Sequence, residues 1–191
     1  MRRIPIFTLS LVAASLGLAA ASYAAEGSLP GDGGRLGSGI FDPNAPQRPR
    51  VPLAPVPRPS LELALAAARA IADGCKQYPL GVAVVNAHGE PVLTYIPDRS
   101  NTGHAYTAIR KAYSALTFNS STADIAVRAN TDPDLAARIK ADPNLMSYSG
   151  GVLLKAGDRI VGAIGVSGAE PGHHDDECAR IGVAEIKDRL R

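Results

Sequence analysis

The sequence predicts a single α+β domain: a mainly antiparallel sheet with helices packed against it. Three observations carry that prediction. Two pairs of apolar, β-branched runs are each joined by a short turn-forming segment, which makes neighbouring strands antiparallel. The segments around those pairs carry apolar residues at spacings of three and four, the period of an amphipathic helix. The resulting order is helix, two strands, two or three helices, two strands, helix. It lacks the alternating strand–helix rhythm of a doubly wound nucleotide-binding fold.

The N-terminus stands apart from this domain. Arg2 and Arg3 precede an apolar stretch from Ile4 to Ala21, and Ser22-Tyr23-Ala24 places small residues where a signal peptidase reads them. A cleaved signal peptide over residues 1–24 is therefore expected, with the mature protein in the periplasm or secreted. No positive stop-transfer flank follows, so no stable membrane insertion is expected after cleavage. Residues 25–59 are rich in Gly and Pro, with Arg48, Arg50 and Arg58 spaced by prolines, and read as a disordered linker. The domain proper runs over residues 60–191. Lys and Arg number 20 against 18 Asp and Glu, and the two leader arginines account for the difference. A neutral mature chain without a basic tract excludes a nucleic-acid partner.

Each element has a local reason. Ser60 caps a first helix whose apolar stripe reads Leu61, Leu65, Ala68, Ala72 and Cys75. Leu80–Val85 and Pro91–Ile96 are strands, with Asn86-Ala87-His88-Gly89 as their turn. A helix from about Thr102 to Phe118 carries Ala105, Ile109, Ala112, Tyr113 and Leu116 on one face. Ser121 and Asp124 form a capping box for a short helix, and Asp132-Pro133 opens another. Gly150–Lys155 and Arg159–Ser167 form a second hairpin around Ala156-Gly157-Asp158. A last helix begins near His173 and runs to the end.

Several motifs compete for a chemical role. Gly162, Gly165 and Gly168 suggest a phosphate loop, but Asp175, Asp176 and Glu177 at the next helix start repel phosphate, and strand glycines mark close backbone approach. Ser167, in Gly165-Val-Ser-Gly-Ala169, resembles a hydrolase elbow without its last glycine or a positioned base. His173, His174, Glu177 and Cys178 offer ligands for an iron or zinc ion at the surface, with helix-dipole compensation by the acidic residues as the plainer account. His104 begins a helix beside Tyr106, Tyr113, Arg110 and Lys111. A haem or similar tetrapyrrole needs an axial ligand, an apolar wall and cations for its propionates, and all three are local there.

The segments Gly81-Val-Ala-Val-Val-Asn-Ala-His-Gly89, Ala108-Ile-Arg-Lys-Ala-Tyr-Ser-Ala115, Gly150-Gly151, Val161-Gly-Ala-Ile-Gly-Val-Ser-Gly-Ala169 and Asp175-Asp-Glu-Cys-Ala179 resemble the GlcG/HbpS-like family of haem-binding proteins (DUF336-type domain). The resemblance spans nearly the whole domain. It implies a profilin-like fold with a sheet of about five strands, homo-oligomers, haem binding in some members and, for some, a sensor-protein partner. From the residues themselves, His104 is the expected iron ligand, with Tyr106 or Tyr113 as competitors and Arg110 or Lys111 near a propionate. The rival readings are a cofactor-free oligomeric interaction domain and a small haem-degrading enzyme. The family fold packs the first and last helices antiparallel, which implies a Cys75–Cys178 disulfide in an exported chain with two cysteines.

Overall fold

Strand β1 (Gly81–Asn86) is buried at every position, so both of its faces must be covered. The computed structural model, which describes residues 56–191, supplies that cover with a layer of helix on each side. β1 lies between β2 (Pro91–Tyr95) and β4 (Arg159–Ser167), and β3 (Gly151–Ala156) completes an antiparallel sheet of order β2-β1-β4-β3. Both predicted hairpins are present. They make four strands among the described residues, where the resemblance implied about five. The predicted signal peptide and residues 25–55 of the linker lie outside the described residues. Of the remaining linker, Pro59 is buried, and the Pro57 carbonyl accepts a hydrogen bond of 3.0 Å from the Ala87 amide.

Helix α2 (Thr102–Phe118) crosses one face of the sheet at backbone contact. A Cβ on Gly165 would strike the Ala108 carbonyl, and one on Gly151 would strike the Lys111 carbonyl. The strand glycines therefore mark where a helix touches the sheet, the structural account favoured for Gly165. That contact also corrects the predicted face of α2. Ala105, Ala108, Lys111, Ala112, Ser114 and Ala115 are buried, while Tyr113 is 36% exposed. Only small residues fit over glycines, so the alanines turn inward and the larger Ile109 and Leu116 sit at the margins.

The other face carries α1 (Leu61–Gly74) and α5 (His173–Ile186). They run antiparallel: Gly182 sits against Ile71 and Ala67, while Cys178 meets Cys75. The buried stripe of α1 is Ala64, Ala67, Ala68 and Ile71, rotated from the predicted one, and Leu61 is 57% exposed. Small residues again face the close neighbour. With Val82, Val84, Leu154, Ile164 and Val166 they form the main core.

Helix starts follow their caps. The Ser60 side chain accepts from Leu63 N, Ser121 from Asp124 N at 3.1 Å and Asp132 from Leu135 N at 3.0 Å, opening α1, α3 (Thr122–Ala129) and α4 (Pro133–Ala141). α5 gives way to a single 3-10 turn at Lys187–Arg189 rather than continuing to the last residue. No helix among the described residues is long and apolar enough to cross a membrane.

Candidate functional site at the α2 and α5 N-termini

One end of the sheet gathers the starts of β1, α2 and α5 and the end of β4, and it holds three of the four histidines. His88 lies at the other end, in the β1–β2 turn. There Asn86 Oδ1 accepts from His88 N at 2.9 Å and Glu90 N at 3.0 Å, and Gly89 takes φ 82°.

His104 is half-buried in the first turn of α2. Asn101 caps that turn by accepting from His104 N at 3.1 Å. The imidazole Nδ1 lies 3.3 Å from Ser100 Oγ, which in turn contacts the Pro79 carbonyl at 3.2 Å. The ring rests against Gly168, where a Cβ would stand 2.9 Å from Nδ1. Pro79 and Ser100 adjoin a cleft of about 320 Å³ walled by Tyr78, Leu80, Tyr95, Ile96 and Pro97, with Lys76 and Arg99 among its lining residues.

The other residues expected around a haem diverge. Neighbours on a helix are separated by about 100°, and His104, Thr107 and Lys111 share one stripe while Tyr106, Arg110 and Tyr113 share another. On the second stripe, the Arg110 guanidinium lies over the Tyr106 ring at 5.8 Å and donates to the Leu145 carbonyl at 3.2 Å. Those residues line a separate cleft of about 310 Å³ with Ile109, Tyr113 and Asn144. His104, Tyr106, Arg110 and Lys111 thus share no single described cavity.

Lys111 points the other way. Its Nζ donates to Asp175 Oδ2 at 2.6 Å and to the Val166 carbonyl at 3.0 Å, with the side chains of the pair 3% and 5% exposed. Asp175 Oδ1 accepts from Ala169 N at 2.8 Å. Burial holds the Lys111 ammonium below the ordinary lysine range, against the attraction of Asp175. The same burial raises Asp175, against Lys111 and the Ala169 amide. This ammonium is already committed to its partner, which removes it from the cations expected at a propionate. The pair floors a cleft of about 480 Å³ whose lining includes Thr107, Tyr148, Ser167, Glu170 and His173. Ser167 is buried and hydrogen-bonds no histidine among the described residues, so no hydrolase dyad forms.

At the start of α5, His174 Nδ1 lies 2.8 Å from Glu177 Oε2, and the His173 and His174 rings stand 4.1 Å apart. Cys178 follows immediately and is bonded to Cys75 with Cα atoms 6.1 Å apart, the predicted disulfide. Cys178 is thereby removed from the metal-ligand candidates.

The comparisons bear on the ligand class. A model of haem-degrading, HbpS-like proteins matches residues 60–184. The chain belongs to the HbpS-like family. A double mutant of HbpS from Streptomyces reticuli is 31% identical, with a TM-score of 0.62 over 73% of this chain and 95% of that one. PduOC, solved in complex with haem, is 22% identical, with a TM-score of 0.60 over 68% and 95%. ORFY of Klebsiella pneumoniae, a DUF336 protein, is 20% identical, with a TM-score of 0.63 over 70% and 94%. No curated protein matches the chain.

Within this HbpS-like chain, the donor set fits haem through His104. Its Nδ1 lies against Ser100 Oγ, so Nε2 is the nitrogen it would offer to an iron. The cleft lined by the neighbours of Pro79 and Ser100 has apolar walls and carries Lys76, Asp98 and Arg99, with the Arg99 guanidinium donating to the Lys76 carbonyl. Proximity along the chain favoured Arg110 and Lys111. Lys76 and Arg99 come from loops on either side of the β1–β2 hairpin and meet only in the fold.

Proposed function

We propose that this chain is an exported haem-binding protein in which His104 supplies the iron ligand. The observation that carries the reading is the half-buried His104 ring with its Nδ1 oriented by Ser100, which also contacts the Pro79 carbonyl; the neighbours of Pro79 and Ser100 line an aromatic and aliphatic cleft bearing Lys76, Asp98 and Arg99. Membership of the HbpS-like family supports haem as the ligand class. PduOC, which shares the fold, has been solved with haem. Bound haem supplies a coordinating, redox-active iron. His104 would bind and orient it, the cleft would shed water from the macrocycle, and Lys76 and Arg99 would neutralise its propionates. The Cys75–Cys178 disulfide supports export, because such bridges persist in oxidising compartments. Homo-oligomerisation is part of the same reading, supported by membership of the HbpS-like family.

Titration with haemin, followed by absorbance, tests this. His104→Ala should weaken binding and shift the Soret band, while His88→Ala should do neither. An unshifted band in His104→Ala that instead changes in Tyr106→Phe or Tyr113→Phe would move the ligand to the second stripe of α2. Absence of binding in the parent protein would favour a cofactor-free oligomeric interaction domain. The description of the matching family as haem-degrading favours a second reading, haem breakdown. Irreversible loss of the Soret band when reductant and dioxygen are supplied would distinguish breakdown from binding.

A further inference from the structure

We propose that His173, His174 and Glu177 form a binding site for a divalent first-row transition metal of the zinc class, next to the proposed haem cleft and sharing Tyr78 with it. One ligand atom from each lies within 4.8 Å of the others. Donors around a tetrahedral zinc stand about 3.3–3.6 Å apart at bond lengths of about 2.0–2.2 Å. The set is therefore within a side-chain rotation of closing on an ion. Two imidazoles and a carboxylate are a borderline donor set, suited to zinc rather than to calcium or magnesium.

Three features prepare the site. The backbone beneath it is pinned on both sides, by Asp175 in its ion pair with Lys111 and by Cys178 in the disulfide. Tyr78 stacks on the His174 ring at 5.3 Å between centroids, which restricts its rotation. His174 Nδ1 and Glu177 Oε2 already face each other at 2.8 Å, so a cation can replace the shared proton between them.

The main opposing effect is the positive end of the α5 dipole, which weakly repels a cation at an exposed helix start. A single metal–ligand bond outweighs that. His173 and Glu177 are exposed, so the remaining coordination positions face solvent. The ion would be exchangeable rather than structural, with positions open for water or an anionic ligand.

The test uses the tag-free protein, freed of metal by chelation and titrated with Zn2+ by calorimetry and with Co2+ as a spectroscopic probe. The expected result is one saturable site per chain, with visible Co2+ bands. His174→Ala and Glu177→Gln should each weaken it, by roughly 100-fold or more, since even loss of an outer-shell partner costs 10–100-fold. His88→Ala should bind as the parent does, and melting curves establish that every variant is folded. Absence of saturable binding would overturn the proposal. So would affinity unchanged in both His174→Ala and Glu177→Gln, or weakened equally in His88→Ala. Haem binding is scored separately, so failure here leaves the His104 reading intact.

Discussion

Replacing Asp175 with Asn removes one charge from a pair that has almost no access to water. The substitution keeps an oxygen to accept from Ala169 N but leaves the Lys111 ammonium buried without a counter-ion. Breaking a buried pair from one side costs about 3–5 kcal/mol. For a domain of about 130 residues, 1 kcal/mol corresponds to roughly 4 °C, so the melting temperature at pH 7 should fall by roughly 12–20 °C. The loss should also depend on pH. With its carboxylate partner gone, only desolvation and weaker, more distant charges act on Lys111, which drives its folded-state pKa further below the unfolded value of about 10.4. Between those two values the unfolded chain binds more protons than the native one, so the stability of the variant should rise with pH through that window. Differential scanning calorimetry from pH 7 to 10, with Lys111→Met/Asp175→Leu as the double variant, measures both effects. The double variant should be less destabilised than the sum of its single changes. A drop of under about 3 °C in Asp175→Asn, flat with pH, would refute the claim that the pair is desolvated.

Further outcomes follow from other contacts. Gly165→Ala should destabilise the domain by about 3 kcal/mol in urea unfolding, because the added methyl meets the α2 backbone at Ala108 and Ala112 and neither can retreat. Reducing the Cys75–Cys178 bridge, which spans 103 residues, should cost up to about 4–5 kcal/mol by loop-closure entropy, read as a lower urea midpoint with reductant. NMR titration should place the Glu177 carboxyl below the usual glutamate range, and His174→Ala should return it upward. Its contribution to stability is present above the unfolded glutamate pKa and is lost as pH falls through the lowered folded value.

Element starts were legible because the residues that open them act locally. Ser60, Ser121 and Asp132 each satisfy an amide three residues ahead, and Asn86 closes its own turn, so no distant contact is needed to read them. Helix faces were less legible. In α1 and α2 the expected stripes were right at Ala68, Cys75, Ala105 and Ala112 but wrong at their large residues Leu61 and Tyr113, because the neighbouring surfaces contribute Gly151, Gly165 and Gly182 at the points of contact. Which side turns inward depends on residues more than thirty positions away. The same limit governed the site. Lys111 looked like a free cation beside His104 because its partner, Asp175, is 64 residues further along the chain. Tyr106 and Arg110 looked like neighbours of His104 because they are close in sequence, whereas helical rotation sets them on a different side.

The two ends of the sheet differ in how they are held, and that difference supports the placement of the proposed sites at the α2 and α5 starts. At the His88 end, the β1–β2 turn is closed by Asn86 and Glu90, with the Ala87 amide donating to the Pro57 carbonyl and Tyr113 packed near Gly89. At the other end, the first turn of α5 is tied to α1 by the disulfide and to α2 by the Lys111–Asp175 pair, and Asp175 also fixes Ala169 beside Gly168. Gly168 in turn supports the His104 ring. The starts of α2 and α5, which carry His104, His173 and His174, thus rest on one set of bonds and a packing contact at Gly168. Ligand sites need such preorganisation, since every side chain ordered on binding subtracts from affinity. The buried ion pair is a costly way to stabilise a domain, and an apolar pair would serve folding as well. Its position beneath the histidines makes sense as support for a site, and Lys111→Met/Asp175→Leu separates the two roles: a folded double variant with weakened haem or metal binding would assign the pair to the site rather than to the core.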